Sequence, residues 1–140
     1  MKKLILVTSP PASGKTTLAK ALAKAMHETV YLDKDTLIPL SKKIFEAASE
    51  PYDRSSDFFE KNIRDLEYQV ILDFATEAIN YDSDVIINAP FAREIRDKTY
   101  MKALSLKPWE QRYVSSGSAA RLKHLIRECW IEILTEIPGS

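Results

Sequence analysis

The residue types best suited to bind phosphate lie near the amino terminus, in a run that ends in glycine, lysine and threonine. Residues 9–16 read Ser-Pro-Pro-Ala-Ser-Gly-Lys-Thr, which departs from the phosphate-binding pattern G-x-x-x-x-G-K-[ST] only at Ser9. That first position ends a strand and needs a small residue more than a phosphate contact, so serine retains the chemistry. Gly14 is the only glycine among the first 116 residues, and it lies where the backbone must approach a phosphate without a Cβ atom in the way.

The residues of this loop offer complementary contacts to a nucleotide. Backbone N–H groups between Ala12 and Thr16 can converge on a β-phosphate at the start of a helix, whose dipole favours anions. Lys15 can reach the β- and γ-phosphates, the Thr16 hydroxyl can ligate Mg²⁺, and Thr17 can bond an α-phosphate oxygen. We therefore predict a site for ATP and Mg²⁺; the simpler interpretation is a capped helix with a surface lysine. The predicted nucleotide-binding residues are Pro11, Ala12, Ser13, Gly14, Lys15, Thr16 and Thr17.

Two carboxylates follow the next apolar run of the chain. Asp33 and Asp35, separated by Lys34, come directly after Thr29–Leu32. In an open parallel sheet, ligands gather beyond the carboxyl ends of the strands, so both acids are expected to face the crevice beside the phosphate loop. A carboxylate there can accept the proton of an attacking hydroxyl or hold waters on Mg²⁺. Alone, the Asp-Lys-Asp run would suggest a solvated turn, but its place one element after a phosphate loop favours the catalytic interpretation.

Short apolar runs alternate with stretches of helical periodicity, and these elements must position the loop and the acids. Strands are predicted at Leu4–Val7, Thr29–Leu32 and Asp84–Asn88, and helices at residues 15–27 and 57–79. The alternation predicts an α/β fold of the three-layer P-loop NTPase type, with a parallel sheet flanked by helices. At 140 residues, the chain is the size of a single domain, residues 1–140.

The predicted helix over 57–79 is amphipathic, and its start has the spacing of a capping box, formed by Asp57 and Glu60. Its apolar residues recur at helical spacing and predict one continuous buried face. That face comprises Phe59, Ile63, Leu66, Val70, Phe74 and Ala78.

The last third of the chain is harder to interpret. Ala92–Leu104 is a candidate helix, and residues 107–114 are a poor candidate for a buried fourth strand. Apolar residues over 118–134 recover helical spacing and predict a final amphipathic helix. An apolar fourth strand and an arginine-bearing lid are not legible after residue 104. We therefore expect either a minimal version of the fold or a carboxyl-terminal third that is diverged, truncated or altered by a frameshift.

The composition excludes several classes of protein. The chain carries 20 basic and 20 acidic side chains, so no global field attracts it to nucleic acid or to a membrane. Cys129 is the only cysteine, which excludes an internal disulfide, and His27 and His124 have no partners at metal-ligand spacing. No stretch approaches the roughly 20 apolar residues of a membrane span. We predict a cytoplasmic protein without membrane attachment or a strong nucleic-acid signature, and the oligomeric state stays open.

The strand, loop and acid pair together carry a family resemblance. With Tyr31-Leu32-Asp33-Lys34-Asp35-Thr36-Leu37, residues 1–100 resemble the small P-loop kinases and AAA-type ATP-binding proteins, including polynucleotide 5′-hydroxyl kinase, the zeta-toxin group, gluconate kinase and adenylylsulfate kinase. The later run Val85-Ile86-Ile87-Asn88-Ala89-Pro90-Phe91 is similar to the third strand of the polynucleotide-kinase-like and zeta-like members, which often read V-I-x-D-A-P-F. Shikimate kinase fits less well, because its glycine-rich stretch after this strand is replaced here.

The resemblance implies roles for particular residues. Asp35 would be the general base toward the acceptor hydroxyl, and Asp33 would help to hold Mg²⁺ or the acceptor. Asn88 departs from the acid that the family often has, so a carboxylate contact to the metal's water shell cannot be carried over. The predicted catalytic residues are Lys15, Asp35, Arg121 and Arg127, and the predicted metal-binding residues are Thr16 and Asp33. Arg121 or Arg127 would close over the γ-phosphate, with Arg112 a weaker candidate, while Arg93 and Arg96 could meet an anionic acceptor.

Three functions are compatible with these residues. A phosphotransferase would move the γ-phosphate of ATP to a hydroxyl of a small molecule or of a nucleotide or polynucleotide end. A nucleotide-binding regulatory protein, or a slow ATPase without a dedicated acceptor, would use the same loop. The acid pair favours the first function, while Asn88 and the missing lid pattern favour the others. The acceptor stays open because the helices between Leu37 and Ile79 contain no specific motif.

Overall fold

Four parallel strands form the central sheet of the computed structural model, which describes residues 2–8, 15–105 and 110–115. The strands are β1 (Lys3–Thr8), β2 (Thr29–Asp33), β3 (Asp84–Asn88) and β4 (Glu110–Ser115), and they lie in the order β2-β3-β1-β4. The two central strands are apolar on both faces, as expected when helices cover a parallel sheet on each side. The predicted α/β class and the first three strands are confirmed.

Strand register places Asp33 of β2 and Asn88 of β3 at the same end of the sheet, the carboxyl end of the strands. Asn88 at the end of β3 pairs with Val7 of β1 on one side and with Asp33 of β2 on the other. The carboxyl ends of the three strands are therefore level. β1 ends at this same end of the sheet, and the predicted phosphate loop follows it in the chain.

Within the described part of the chain, five α-helices and two short 3-10 helices accompany the strands. The α-helices are α1 (Lys15–Ala25), α2 (Ile38–Ala47), α3 (Asp57–Asn62), α4 (Arg64–Asn80) and α5 (Lys98–Ser105), and the 3-10 helices are Lys34–Leu37 and Glu94–Arg96. None of the described helices combines the length and the apolar character needed to cross a lipid bilayer.

Among the described residues, one core cluster packs on each face of the sheet, and a third cluster joins Phe45 of α2 to Phe59 of α3 and Ile63. Alternate residues of β1 point to opposite faces, so Ile5 and Val7 pack on one side and Leu4 and Leu6 on the other. α1 covers the first side with Ala19 and Leu22, and Met26, the residue directly after α1, joins them. α4 covers the second side with Tyr68, Ile71, Ala75 and Ile79, joined by Leu104 of α5. This arrangement fixes the first turns of α1 and α4 near the same end of the sheet.

The single helix predicted over 57–79 is wrong, because Ile63 breaks it. Ile63 has φ −124° and ψ −45°, outside the helical region, and separates α3 from α4. The break rotates the buried face of α4, so Leu66 and Phe74 are 52% and 49% exposed instead of buried. The predicted face holds only before the break, where Phe59 and Ile63 are buried.

The cap of α3 also differs from the predicted capping box. Ser56, not Asp57, is the N-cap residue, and its hydroxyl accepts a hydrogen bond from the N–H of Phe59 at 3.1 Å. We expect Ser56→Ala to lower the free energy of unfolding by about 1 kcal/mol. Asp57→Ala should cost no more than about 0.5 kcal/mol. Urea denaturation of both variants checks this, and a larger loss for Asp57→Ala would restore the sequence-based assignment.

The carboxyl-terminal third contains a strand that the sequence analysis rejected. β4 pairs with β1 in parallel along its full length, from Lys3 opposite Glu110 to Thr8 opposite Ser115. The rejection was wrong because a strand at the end of the described sheet does not need the continuous apolar run of a central strand. The helix predicted over 92–104 is replaced by a 3-10 turn and α5. The helix predicted over 118–134 lies outside the described residues.

Candidate functional site

Four polar side chains meet at the carboxyl end of β2 and β3. The Asn88 amide nitrogen lies 3.0 Å from the Thr16 hydroxyl, 3.0 Å from the Tyr31 hydroxyl and 3.3 Å from Oδ2 of Asp33. Thr16 comes from the first turn of α1, so this contact joins the phosphate-loop side of the sheet to β2 and β3. The predicted metal-binding pair, Thr16 and Asp33, is thus brought together at one amide group.

Asn88 is the centre of this cluster, and its bonding is incomplete. The residue is 2% exposed, its amide nitrogen has two hydrogens for three neighbouring oxygens, and its Oδ1 has no hydrogen-bond partner among the described residues. A buried acceptor without a partner costs about 1–3 kcal/mol. Such an acceptor is suited to a water or another donor that arrives with a ligand.

Asp33 makes structural hydrogen bonds in addition to its predicted role in metal binding. Its Oδ1 accepts the N–H of Asp35 at 2.9 Å and so caps the 3-10 helix Lys34–Leu37, while its Oδ2 accepts the Tyr31 hydroxyl at 2.8 Å. Burial raises the pKa of Tyr31 to about 12, and the hydrogen bond from Asn88 only partly opposes this. The phenol is therefore protonated at neutral pH and donates to Asp33, which fixes the carboxylate in place.

Asp35 is arranged differently from Asp33. It is exposed, and its carboxylate makes no hydrogen bond or ion pair with any residue that the structure describes. Its backbone N–H donates to Asp33, and its backbone carbonyl oxygen accepts the N–H of Ile38. A carboxylate that is held by its backbone but has free oxygens can accept a proton from a ligand hydroxyl, as the prediction for Asp35 requires.

A buried charge cluster anchors the segment between the two acids, and the sequence analysis missed it. Lys34 is 6% exposed, and its Nζ lies 3.4 Å from Oε1 of Glu67 and 5.2 Å from the centre of the Tyr68 ring. Glu67 also accepts three hydrogen bonds from the Arg54 guanidinium, at 2.8, 3.2 and 3.2 Å, and one from the Ser41 hydroxyl at 2.9 Å. The only sequence signal was a lysine between two acids, which local periodicity could not connect to α4.

The cluster also sets the ionisation of Glu67. Burial raises the pKa of this carboxyl, but the hydrogen bonds from Arg54, the charge of Lys34 and the Ser41 hydroxyl together outweigh burial and bring it below its ordinary value. Glu67 is therefore ionised at neutral pH and balances the buried charge of Lys34. Because Lys34 lies between Asp33 and Asp35, this pairing ties both acids to α4.

The start of α1 is suited to an anion. α1 begins at Lys15, immediately after the glycine of the loop, and its first turn contains no acidic residue. The first N–H groups of a helix have no partner within the helix and carry partial positive charge. Thr16 and Thr17 are exposed there. Residues 9–14, the side chain of Lys15, and Arg121 and Arg127 lie outside what the structure describes, so their predicted roles stay predictions.

Of the two arginines that follow β3, Arg93 is paired with a carboxylate. Arg93 contacts Glu60 at 2.5 Å, and nearby Arg64 of α4 binds Glu94 through both guanidinium nitrogens, at 2.6 and 3.3 Å. Arg96 is exposed on the surface. The proposal that Arg93 meets an anionic acceptor is therefore weakened, because its charge is partly offset.

The donors at the site fit Mg²⁺ chemically. Mg²⁺ prefers oxygen ligands and keeps several of its waters, and the Thr16 hydroxyl and the Asp33 carboxylate both contact the Asn88 amide. The unpartnered Oδ1 of Asn88 offers a buried acceptor for a water. No cluster of three or more His, Cys, Asp or Glu side chains suited to a metal occurs in the described ranges, so any Mg²⁺ here would depend on nucleotide oxygens as well.

Comparison with known proteins agrees with this geometry. The family model of the AAA domain matches residues 4–114. The crystal structure of a presumed kinase from Chloroflexus aurantiacus J-10-fl has a TM-score of 0.61 at 22% identity, and the match covers 99% of this chain and 71% of that one. A chain of the Pnkp1/Rnl/Hen1 complex has a TM-score of 0.56 at 18% identity, covering 91% of this chain and 39% of that one. No curated protein matches significantly.

The family match extends from β1 to β4 and so includes every strand of the sheet. The two solved structures, at their low identities, establish the fold alone. The predicted resemblance and the P-loop NTPase-type fold are confirmed, and the family match supports a nucleotide-binding function. The chain belongs to the AAA domain family and has the fold of the small P-loop kinases.

Proposed function

We propose that this protein is an ATP-dependent phosphotransferase that acts on a hydroxyl group. The observation that carries the proposal is the arrangement of Asp35 beside the site. Its carboxylate is exposed and has no partner among the described residues, and its backbone is bonded to Asp33, which contacts the same amide as Thr16. A nucleotide module without an acceptor has no need of a free carboxylate held next to a phosphate-binding helix.

The proposed reaction uses the residues of this chain as follows. The acceptor hydroxyl oxygen attacks the γ-phosphorus of ATP, its proton passes to the Asp35 carboxylate, and the bond from the γ-phosphorus to the bridging oxygen breaks to release ADP. Lys15 and the N–H groups at the start of α1 hold the phosphates and offset their charge. Arg121 or Arg127 would close over the γ-phosphate.

Mg²⁺, when bound with ATP, would neutralise phosphate charge and orient the phosphate oxygens. The Thr16 hydroxyl would hold it directly, and Asp33 would hold its waters. Tyr31 contributes by fixing the carboxylate of Asp33 through its 2.8 Å hydrogen bond. Asn88 supplies no charge, so this site places less negative charge near the metal than a family member with an acid at that position.

Lys15→Ala tests the nucleotide site. Removing a charged contact to phosphate should weaken ATP binding roughly 10- to 100-fold, so the increase in melting temperature that ATP produces should be largely lost. Lys20→Ala is the matched control, because Lys20 is an exposed lysine of the same helix. Unchanged ATP affinity in Lys15→Ala, measured by thermal shift and calorimetry, would remove the site from the proposal.

The alternative is a nucleotide-binding regulatory protein or slow ATPase, and the neutral Asn88 is the observation that favours it. Radiolabelled ATP separates these functions. A kinase transfers label to an acceptor in a panel of sugars, nucleosides and 5′-hydroxyl oligonucleotides, whereas an ATPase releases labelled phosphate at a rate that no acceptor changes. ATP binding with neither reaction would favour the regulatory protein.

A further inference from the structure

A polar cavity opens at the same end of the sheet as the acid pair. It has a volume of about 360 Å³ and lies between the first turns of α4 and the segment from Arg93 to Tyr100. α4 leads into β3 and runs back along it, so its first turns lie near the carboxyl ends of the strands. The residues that line the cavity are Arg64, Asp65, Tyr68, Gln69, Leu72, Arg93, Glu94, Asp97 and Tyr100. A volume in this range suits a small molecule.

Tyr68 connects this cavity to the acids. Its ring contacts the Lys34 ammonium at 5.2 Å and the Arg64 guanidinium at 4.8 Å, and its hydroxyl accepts the N–H of Phe91 at 3.2 Å. Lys34 lies between Asp33 and Asp35 in the chain. One wall of the cavity is thus in contact with the segment that carries the proposed base.

The positive charges around the cavity are already neutralised. Glu94 binds Arg64 through two contacts, and both side chains are largely buried, at 9% and 12% exposure. The Arg93 guanidinium is bonded to Glu60. The lining holds no lysine. An anionic ligand would have to displace these carboxylates or lie beside them, which is unfavourable.

The groups that stay available suit hydroxyls. Asp65 is an exposed carboxylate whose only described contact is to Arg64, and Asp97 uses one oxygen, Oδ1, to cap the start of α5. The Tyr100 hydroxyl is buried and has no hydrogen-bond partner among the described residues. Burial raises the pKa of Tyr100 to about 12, so this hydroxyl keeps its proton and can both donate and accept. Carboxylates and a phenol bind a ligand that carries several O–H groups.

We propose that this cavity binds the acceptor, and that the acceptor is a neutral polyhydroxylated compound of about monosaccharide size. That the ligand is a phosphate acceptor rests on the proposed phosphotransferase function. That the cavity binds a neutral polyhydroxylated compound rests only on the cavity and its lining. A phosphorylated or carboxylated acceptor would meet a lining in which the carboxylates outnumber the guanidinium groups.

Binding of defined compounds tests the inference directly. The probes are the neutral compounds glucose, ribose and inositol, and the anionic compounds gluconate, glucose 6-phosphate and ribose 5-phosphate. Titrations of the full chain, followed by NMR without ATP, should show at least one neutral probe binding tenfold or more tightly than the anionic ones. Equal or tighter binding of the anions, or no binding of any neutral probe at millimolar concentration, would overturn the inference.

Two variants locate the binding in the cavity. Tyr100→Phe and Asp65→Asn should each weaken the neutral probe by about two- to tenfold, the effect of one lost hydrogen bond. Tyr81→Phe and Asp73→Asn are matched controls, since Asp73 lies on α4, Tyr81 directly follows it, and neither lines the cavity. Unchanged binding in both cavity variants would also overturn the inference. If the probe binds but no labelled phosphate reaches it, the kinase proposal fails and the binding site remains.

Discussion

Replacing Asp35 by Asn is expected to reduce phosphate transfer by a factor of about 10²–10⁴ while ATP affinity stays unchanged. Asparagine keeps the shape of the side chain and the backbone N–H that Asp33 caps, but it cannot take the proton of an acceptor hydroxyl. The phosphate contacts come from Lys15 and the start of α1, so they persist. Single-turnover transfer of radiolabelled phosphate, with ATP affinity measured by calorimetry, checks both parts of this prediction.

Asp57→Asn provides the control for Asp35→Asn. Asp57 is another exposed aspartate at the start of a helix, far from the carboxyl ends of β2 and β3 in the chain, and its replacement should leave transfer unchanged. Both variants should unfold within about 0.5 kcal/mol of the parent. Transfer by Asp35→Asn at the parental rate would show that another group takes the proton, and loss of ATP binding would assign Asp35 to nucleotide binding instead.

The part of the site that local sequence specifies could be predicted. Asp33 and Asn88 each follow an apolar run directly, Asp35 comes two residues after Asp33, and Thr16 comes two residues after the glycine of the loop. Parallel strands must end at one edge of the sheet, so adjacency in the chain was enough to bring these residues together. The Asn88 amide contacts Thr16 and Asp33, so these three side chains meet. Their roles in binding and catalysis stay predictions.

The position of the helix break could not be predicted, because periodicity continues across it. Phe59, Ile63 and Leu66 keep helical spacing through the break, and nothing in their types marks Ile63 as non-helical. Tertiary packing decides the matter: the α4 residues Tyr68 and Ile71 are buried against the sheet, and this rotates Leu66 into solvent. A stretch of polar residues similarly concealed β4, whose pairing with β1 is a backbone property.

The buried charge cluster could not be predicted from the sequence either, because its members lie far apart in the chain. Lys34 and Glu67 are separated by 33 positions, and Arg54 lies between them in a loop. Each is a charged residue of the kind that is usually solvated. Only the fold shows that these side chains contact one another, and that Lys34, between the two acids, is paired with Glu67 of α4.

Replacing Glu67 by Gln is expected to lower the free energy of unfolding by about 3–5 kcal/mol. The variant leaves Lys34 and Arg54 without their carboxylate, and Lys34 is 6% exposed, so its charge has no route to water without a change of structure. Urea denaturation measures the loss. Glu46→Gln is the matched control, because Glu46 pairs with Lys43 at 3.0 Å on the surface, where both side chains are about 70% exposed. Its replacement should cost less than about 1 kcal/mol.

The loss in Glu67→Gln should also depend on pH in a defined direction. A carboxyl whose pKa is lower in the folded state than its ordinary value of 4.5 stabilises the fold fully above that pH, and this contribution is lost as the pH falls through the folded pKa. Glutamine does not titrate, so the stability difference between parent and variant should be constant near pH 7 and shrink below about pH 4.5. A difference that stays constant through this range, or one that grows, would mean that Glu67 acts through packing and not through its charge. The segment that holds Asp33 and Asp35 would then owe its position to the Asp33 cap rather than to the ion pair beneath it.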